Sequence, residues 1–241
     1  MRHITKLLIS IVCFALSNQA LSFDPKKGKI PIQLGFFGAS EGVAQNININ
    51  GLIGDHYTLK HQSNQNVLVG LGYFLDGPDE DWFKIAYGLN VFYLAKTSVN
   101  GTIFQEHLYP NLGYQYNITN VPIYAAAKAE IKNNTNKYAL TLDLGIGPNV
   151  ITTSQYRTNS LDGGVTIPEQ SFAGMTNTAF SAMAGIGVKV DNVFGQIPLE
   201  CGYRFFYLGG GSFSKLNNQV LNTLETANGY ANALVCSVTV L

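Results

Sequence analysis

Residues 122–131 read PIYAAAKAEI, a stretch whose composition and pattern favour different structures. Four alanines, a lysine and a glutamate are good helix formers, so composition alone predicts a short helix. Alternate positions, however, separate into an apolar set and a set that carries the polar residues: Val121, Ile123, Ala125, Ala127, Ala129 and Ile131 against Tyr124, Ala126, Lys128, Glu130 and Lys132. A helix would scatter both sets around its axis, whereas a strand places them on opposite faces. The stretch therefore predicts a β-strand.

The same alternation recurs in short segments separated by Asn, Gly, Asp, Ser and Pro, which is typical of antiparallel strands and turns. The full layout predicts ten strands, near 32–49, 56–75, 82–98, 102–118, 121–132, 137–147, 149–157, 176–190, 197–212 and 230–241. Segment 149–157 does not choose a face, and its loss together with a neighbour would give eight strands. An even number is what a closed antiparallel barrel requires.

The N-terminus has the layout of a secretory signal peptide. Arg2, His3 and Lys6 precede the apolar run LLISIVCFAL, and the small-residue site Ala20-Leu21-Ser22 follows it. We therefore expect a signal peptide at 1–22 and a single barrel domain at 23–241, with no second domain after the last strand. No later run of about 18 apolar residues could form a transmembrane helix.

The composition argues against several classes of function. Fifteen basic and fifteen acidic side chains give a net charge of zero, so no basic excess is available to bind nucleic acid. The sequence contains no Cys/His metal spacing, no Walker loop and no dinucleotide fingerprint, so we expect no cofactor and no metal.

Two features favour a membrane barrel over a soluble sandwich. One is the apolar face, which carries aromatic residues near strand ends, as interfacial girdles do: Phe36, Tyr73, Phe83, Tyr93, Tyr114, Tyr116, Tyr203 and Tyr207. The other is the opposite face, which is rich in glycine and carries only isolated charges. Residues that line a narrow lumen would have this composition. In lipid every backbone polar group must be paired, so only a closed sheet can span the membrane. The sequence predicts an all-β, closed antiparallel transmembrane barrel in the bacterial outer membrane.

The predicted lumen face carries seven ionisable residues of both signs: Lys84, Lys128, Glu130, Asp143, Lys189, Glu200 and Arg204. Charges in a small closed space persist only when they are paired. The residues could fill the interior as ion pairs, or they could form a charged constriction that selects solutes. Because eight or ten strands enclose little more than side chains, the filled interior is favoured.

On these residues the chain resembles the small outer-membrane β-barrels of Gram-negative bacteria, such as the membrane domain of outer membrane protein A and the opacity proteins. The resemblance rests on the signal peptide, on the mixed lumenal charges and on two strand–turn–strand units, LGYQYNITNVPIYA (112–125) and GVKVDNVFGQIPLECGYRFFYLG (187–209). It implies contact with outer-membrane lipid, insertion by the barrel-assembly machinery, and surface loops that meet a host or surface ligand. The chain ends in Val238-Thr239-Val240-Leu241, without the terminal aromatic residue usual in such proteins.

We therefore expect a structural or surface-interaction role, with the long loops at 157–175 and 213–229 as contact sites. One alternative is a narrow porin-like channel for small solutes. Another is an outer-membrane hydrolase, a protease or a lipid-modifying enzyme, that uses His56 beside Asp55, or His61, or His107. No spaced motif joins these histidines to a nucleophile, so the sequence predicts that the chain is not an enzyme.

Two cysteines lie on the apolar face of the last two predicted strands. Cys201 and Cys236 are each about five residues from the short-turn end, so they could face each other at disulfide distance. The envelope is oxidising enough for such a bond. The sequence leaves two alternatives open, a cross-strand disulfide or two lipid-facing free thiols.

Overall fold

The structure is a computed structural model that describes residues 28–60, 64–132, 137–195 and 197–240. The described residues form twelve strands: β1 (Gly28–Ser40), β2 (Gln45–Ile47), β3 (Asp55–Tyr57), β4 (Asn64–Asp79), β5 (Phe83–Gln105), β6 (Tyr109–Lys132), β7 (Tyr138–Ser160), β8 (Phe172–Ala173), β9 (Thr176–Phe194), β10 (Ile197–Gly209), β11 (Ser214–Lys215) and β12 (Gly229–Val240). Within these ranges no helix is long and apolar enough to cross a bilayer. The predicted signal peptide at 1–22 lies outside the described residues, and so does His61.

Eight of these strands form a closed antiparallel ring. In ring order they are β1, β4, β5, β6, β7, β9, β10 and β12, and β12 pairs back onto β1. The prediction of a closed antiparallel barrel is confirmed, with the alternative count of eight strands. The count of ten is wrong.

The difference arises in β5, β6 and β7, which run for 23, 24 and 23 residues without a turn. The segment LGYQYNITNVPIYA at 112–125 lies wholly inside β6, so it is not a strand–turn–strand unit. Its asparagines were interpreted as turn signals, but they form cross-strand hydrogen bonds instead. Ser98 on β5 donates to Asn117 over 2.6 Å, and Asn149 on β7 donates to Asn120 over 2.8 Å. The prediction that PIYAAAKAEI is a strand is confirmed.

One consequence is that the side-chain parity of β6 never changes. Lys128 faces the interior, and so do all the even-numbered residues from Leu112 onward. Tyr114 and Tyr116, which were predicted to face lipid in an aromatic girdle, are therefore inside, with 3% and 1% exposure. The assignment failed because a turn was expected between these tyrosines and Lys128.

The outward face of the ring is an apolar band. On β9, outward residues from Phe180 to Val190 span ten residues, which at about 3.3 Å per residue and a tilt of about 40° cover about 25 Å of membrane. Phe36 on β1 is 72% exposed, and Leu144 on β7 is 64% exposed. In water such a surface would be unfavourable, whereas in lipid it is the expected exterior.

The two ends of the barrel differ. At the end where β1 begins and β12 stops, short connections join β4 to β5, β6 to β7 and β9 to β10. The longer connections, whose described parts are 41–60, 161–175 and 210–228, lie at the other end. Short turns face the periplasm and long loops face the exterior in outer-membrane barrels, which defines the inner and outer ends of this one.

Above the membrane band the wall continues as a second tier, here called the cap. β5 runs twelve residues beyond outward-facing Tyr93, which corresponds to roughly 30 Å of height. The tier is closed by short pairings: β2 with β3, β3 with β5, β8 with β11, and the isolated bridges Ile49–Val220 and Ser212–Glu225. The outer segments therefore belong to a folded extension of the barrel.

Candidate functional site

Four of the seven predicted lumenal charges meet in one buried layer near the middle of the barrel. Lys128 on β6 is the cross-strand partner of Asp143 on β7, and Glu200 and Arg204 come from β10. Lys128 Nζ lies 2.5 Å from Glu200 and 3.6 Å from Asp143, while Arg204 Nη2 lies 2.9 Å from Asp143 and 3.7 Å from Glu200. All four residues are between 5% and 9% exposed. Two cations and two anions thus form a neutral layer, here called the ion-pair layer.

Neutral side chains complete the ion-pair layer. Arg204 also donates to Gln33 Oε1, and Gln33 in turn donates to Asn90 over 2.7 Å. Thr141 donates to Glu200 over 3.2 Å. Gln33 was not among the predicted site residues, although its inward parity between apolar Ile32 and Leu34 was a usable signal. These partners satisfy groups that would be costly to bury unpaired.

The other three predicted charges lie closer to the periplasmic end. Glu130 and Lys189 form a pair at 2.7 Å, and Lys84 lies 2.8 Å from Asp76 at the mouth. Between this mouth and the ion-pair layer is a cavity of about 480 Å³ whose lining includes Lys128 and Glu200. The periplasmic half of the lumen is therefore a blind vestibule.

Above the ion-pair layer the lumen is blocked by packed aromatic rings. Phe92, Tyr124 and Phe206 are all 0% exposed, and the Phe92 ring centroid lies 5.2 Å from that of Phe206 and 6.3 Å from that of Tyr124. The Arg204 guanidinium carbon lies 5.5 Å from the Phe92 ring centroid, so the charged layer packs directly under the rings. Phe37 and Leu68 contribute to the same apolar cluster. We call this cluster the aromatic plug.

A buried carboxyl group lies between the aromatic plug and the cap. Glu41 directly follows β1 and is 9% exposed. It accepts hydrogen bonds from Thr97 Oγ1 and, over 2.8 Å, from Asn120 Nδ2. No cation pairs with it within the described part of the chain. Burial raises the pKa of this carboxyl group, and the two hydrogen bonds oppose that effect only in part.

The cap has its own aromatic core, which was not predicted from the sequence. Tyr156 on β7 lies 5.4 Å from Phe172 and 6.1 Å from Phe213, centroid to centroid, and its hydroxyl is 2.9 Å from that of Tyr57. Phe172 and Phe213 belong to the segments at 157–175 and 213–229 that were predicted as contact loops, yet they are 0% and 2% exposed. Parts of both predicted loops therefore hold the cap together, and only their remaining residues are available for contact.

The structure places Cys201 and Cys236 directly opposite each other on β10 and β12. They are cross-strand partners with Cα atoms 4.1 Å apart, and their sulfur atoms are bonded. Both side chains lie on the outward, lipid-facing side of the wall. The bond would tie the last two strands of the ring together.

Two of the candidate catalytic histidines meet at the outer tip of the cap. The His56 and His107 rings stack with centroids 5.8 Å apart, although His107 lies in the turn after β5 and not on a lumenal strand face. His56 Nδ1 is 2.6 Å from Asn46 Oδ1, and Asp55 accepts a hydrogen bond from the Glu106 amide. Among the described residues, no group of three or more His, Cys, Asp or Glu is placed to hold a metal ion.

These features define a class of protein: a closed eight-stranded sheet with an apolar exterior and a filled interior is a transmembrane β-barrel. No protein-family model matches the chain, and no curated protein does. Solved structures do. The outer membrane protease OmpT from Escherichia coli is 10% identical with a TM-score of 0.51, and the match covers 92% of this chain and 99% of that one.

Two further solved structures also match. Neisserial surface protein A is 13% identical with a TM-score of 0.42, over 89% of this chain and 96% of that one. Ail, the attachment invasion locus protein of Yersinia pestis, is 12% identical with a TM-score of 0.34, over 89% and 99%. The fold is that of a small Gram-negative outer-membrane β-barrel, and its apolar band places the chain in the bacterial outer membrane.

Proposed function

We propose that this integral outer-membrane barrel has a structural and surface-interaction role and does not conduct solutes. The observation that carries the proposal is the blocked lumen. A solute entering from the periplasm meets the ion-pair layer, then the aromatic plug and then the core of the cap. A selective channel would need an open path lined by groups that bind the solute weakly, and in the described part of the chain three consecutive packed layers obstruct the lumen.

The cap supplies a firm surface for contact. Apolar side chains cluster at its outer tip, where Leu108 and Tyr109 are 66% and 62% exposed and Val165 and Ile167 are each 84% exposed. The segment that carries Val165 is fixed to the tip of β6 by a hydrogen bond of 2.8 Å from Asn111 to Thr166. Exposed apolar groups held in a fixed arrangement are a common basis of protein contact. We call these four residues the apical patch.

Local hydrogen bonds also order this segment. Asp162 accepts from the Ser160 hydroxyl over 2.6 Å and from the hydroxyl and amide of Thr166. These bonds, of which the one from Ser160 has the largest effect, hold the pKa of the Asp162 carboxyl group well below its usual range. Asp162 therefore stays charged beside the apolar tip. Because this surface is already ordered, it loses little conformational entropy when it binds a partner.

The proposal is tested by adhesion of bacteria that display the protein. Cells expressing the wild type, and not vector controls, should adhere to at least one of epithelial monolayers, immobilised matrix proteins and other bacterial cells. Changing Val165→Asn and Ile167→Asn together should reduce adhesion to the vector level. Leu221→Asn, at an exposed apolar site elsewhere in the cap (57% exposed), is the matched control and should retain it. Equal adhesion by the apical variant and the wild type would refute the apical patch as the contact site.

We infer in addition that the chain is not a hydrolase. The group that orients His56 is an asparagine amide and not a carboxylate, whereas catalytic histidines are commonly oriented by an acid. OmpT is a protease, so the inference requires a direct assay of the purified protein with peptide and ester substrates. We expect no turnover above background. Activity that disappears in His56→Ala or His107→Ala would establish the hydrolase alternative.

A further inference from the structure

The lipid-facing wall is not uniform where it meets the outer membrane surface. On β10, β12, β1 and β4 four apolar residues stand side by side as cross-strand partners: Tyr203, Leu234, Phe36 and Val67. One step further out, the same strands present Phe205, Asn232, Gly38 and Gln65. Apolar groups therefore lie below amide groups, which is the order in which acyl chains give way to headgroups in a membrane.

Gly38 makes a hollow between the two amides. Without a side chain on β1, the wall is recessed between Asn232 on β12 and Gln65 on β4, both of which are exposed. The groove around this hollow has a volume of about 490 Å³, with Phe36 and Leu234 in its lining. Strands are about 4.8 Å apart, so the two amides stand about 10 Å apart across the groove, wide enough for a sugar ring.

The chemistry of the rim is neutral. None of the ten residues that line the groove is charged. Asn and Gln each offer two donors and an acceptor, which suits hydroxyl groups, whereas phosphate groups are usually bound by Arg or Lys. The Tyr203 hydroxyl donates to Asn232 Oδ1, so the Asn232 amide nitrogen, which has no partner among the described residues, can donate outward.

Aromatic rings continue the surface beside the groove. The Tyr230 ring centroid lies 6.0 Å from that of Phe205 and 5.6 Å from that of Tyr207. The Tyr207 ring centroid in turn lies 6.3 Å from that of Phe180. These residues belong to β9, β10 and β12, so the aromatic cluster lies on the groove side of the barrel. Aromatic surface beside amides presents both apolar faces and hydrogen-bonding groups to a bound amphiphile.

We propose that this groove binds one outer-leaflet lipid with an alkyl chain and an uncharged, hydroxyl-rich headgroup. The chain lies on Phe36, Val67 and Leu234, and the headgroup occupies the hollow over Gly38 between the two amides. This site is separate from the apical patch, so the lipid-binding proposal does not depend on the proposed adhesion role.

The test uses two probes with the same alkyl chain, dodecyl maltoside and dodecylphosphocholine. Protein purified in an unrelated detergent is exposed to both at equal concentration, and native mass spectrometry records which molecules stay bound. We expect one retained maltoside per barrel and no specific retention of the phosphocholine. Equal retention of the two probes, or none of either, would overturn the proposal.

Variants locate the site. Asn232→Leu removes one amide from an exposed position and should weaken maltoside binding about tenfold, the effect of losing about 1.4 kcal/mol of hydrogen bonding. Gln65→Leu alone should also weaken maltoside binding. This second variant keeps the test valid if Asn232→Leu does not insert into the membrane. Thr152→Val, which removes a partly exposed hydroxyl from the outer rim on β7, is the matched control and should bind like the wild type. Unchanged binding in both amide variants would refute the site.

Discussion

Replacing Arg204 by methionine should destabilise the barrel more than any change at its periplasmic mouth. Arg204 is 5% exposed, lies 2.9 Å from Asp143 and also donates to Gln33. Without it, two carboxylates face the single ammonium of Lys128, and the ion-pair layer changes from neutral to a net charge of −1. Breaking a buried pair by removing one partner costs about 3–5 kcal/mol, because the charge that remains is uncompensated.

A double variant distinguishes charge balance from lost packing. Asp143→Leu combined with Arg204→Met removes one charge of each sign and leaves Lys128 and Glu200 paired at 2.5 Å. The double variant should therefore be more stable than Arg204→Met alone by about 2 kcal/mol, a coupling that independent sites would not show.

The assay is urea unfolding of the barrel in lipid vesicles, followed by the difference in gel mobility between folded and unfolded protein. Lys132→Met is the control, because Lys132 pairs with half-exposed Asp79 at the mouth; exposed pairs contribute less than about 1 kcal/mol. The reasoning would be refuted if Arg204→Met lost less than about 1 kcal/mol, or if adding Asp143→Leu lowered stability further.

Three more changes probe the layers separately. Gly185→Ala would put a methyl carbon 2.8 Å from Arg204 Cγ and should cost about 1–3 kcal/mol in the same urea assay. Phe213→Ala should loosen the cap by about 3–5 kcal/mol, seen as proteolysis within the cap while the membrane ring stays resistant. The stabilities of the wild type and of Glu41→Gln should diverge as the pH rises. Urea midpoints at pH 4.5 and pH 9 measure this difference.

The sign for Glu41 follows from its raised pKa. A carboxyl group whose pKa is higher in the folded state favours folding when protonated, so its stabilising contribution is complete below its ordinary pKa of 4.5. That contribution is lost as the pH rises from there to the raised folded pKa. Glutamine keeps the neutral form at every pH, so wild-type stability should fall relative to the variant. Parallel pH profiles would contradict the burial of an uncompensated carboxyl group.

The membrane barrel could be predicted from the sequence because apolar and polar residues alternate along its strands. Lys128 and Asp143 could be assigned to the lumen, since each lies on the polar face of a strand with unbroken alternation. Their pairing with Arg204 could not, because it depends on which strands become neighbours and in what register.

The cap was missed for a different physical reason. Asparagine favours turns in isolation, yet Asn117 and Asn120 form hydrogen bonds across a continuous strand pair, and this tertiary context overrides local preference. With false turns on either side, Tyr114 was assigned to the lipid face. Its inward position follows only once β6 is recognised as one strand.

The ion-pair layer and the aromatic plug together close the lumen. Recording from the purified protein in a planar lipid bilayer tests this closure most directly, with insertion verified by gel mobility before and after boiling. We expect no discrete conductance steps at any salt concentration. Steps whose size grows with salt would show an open path through the barrel and would rule out a closed lumen.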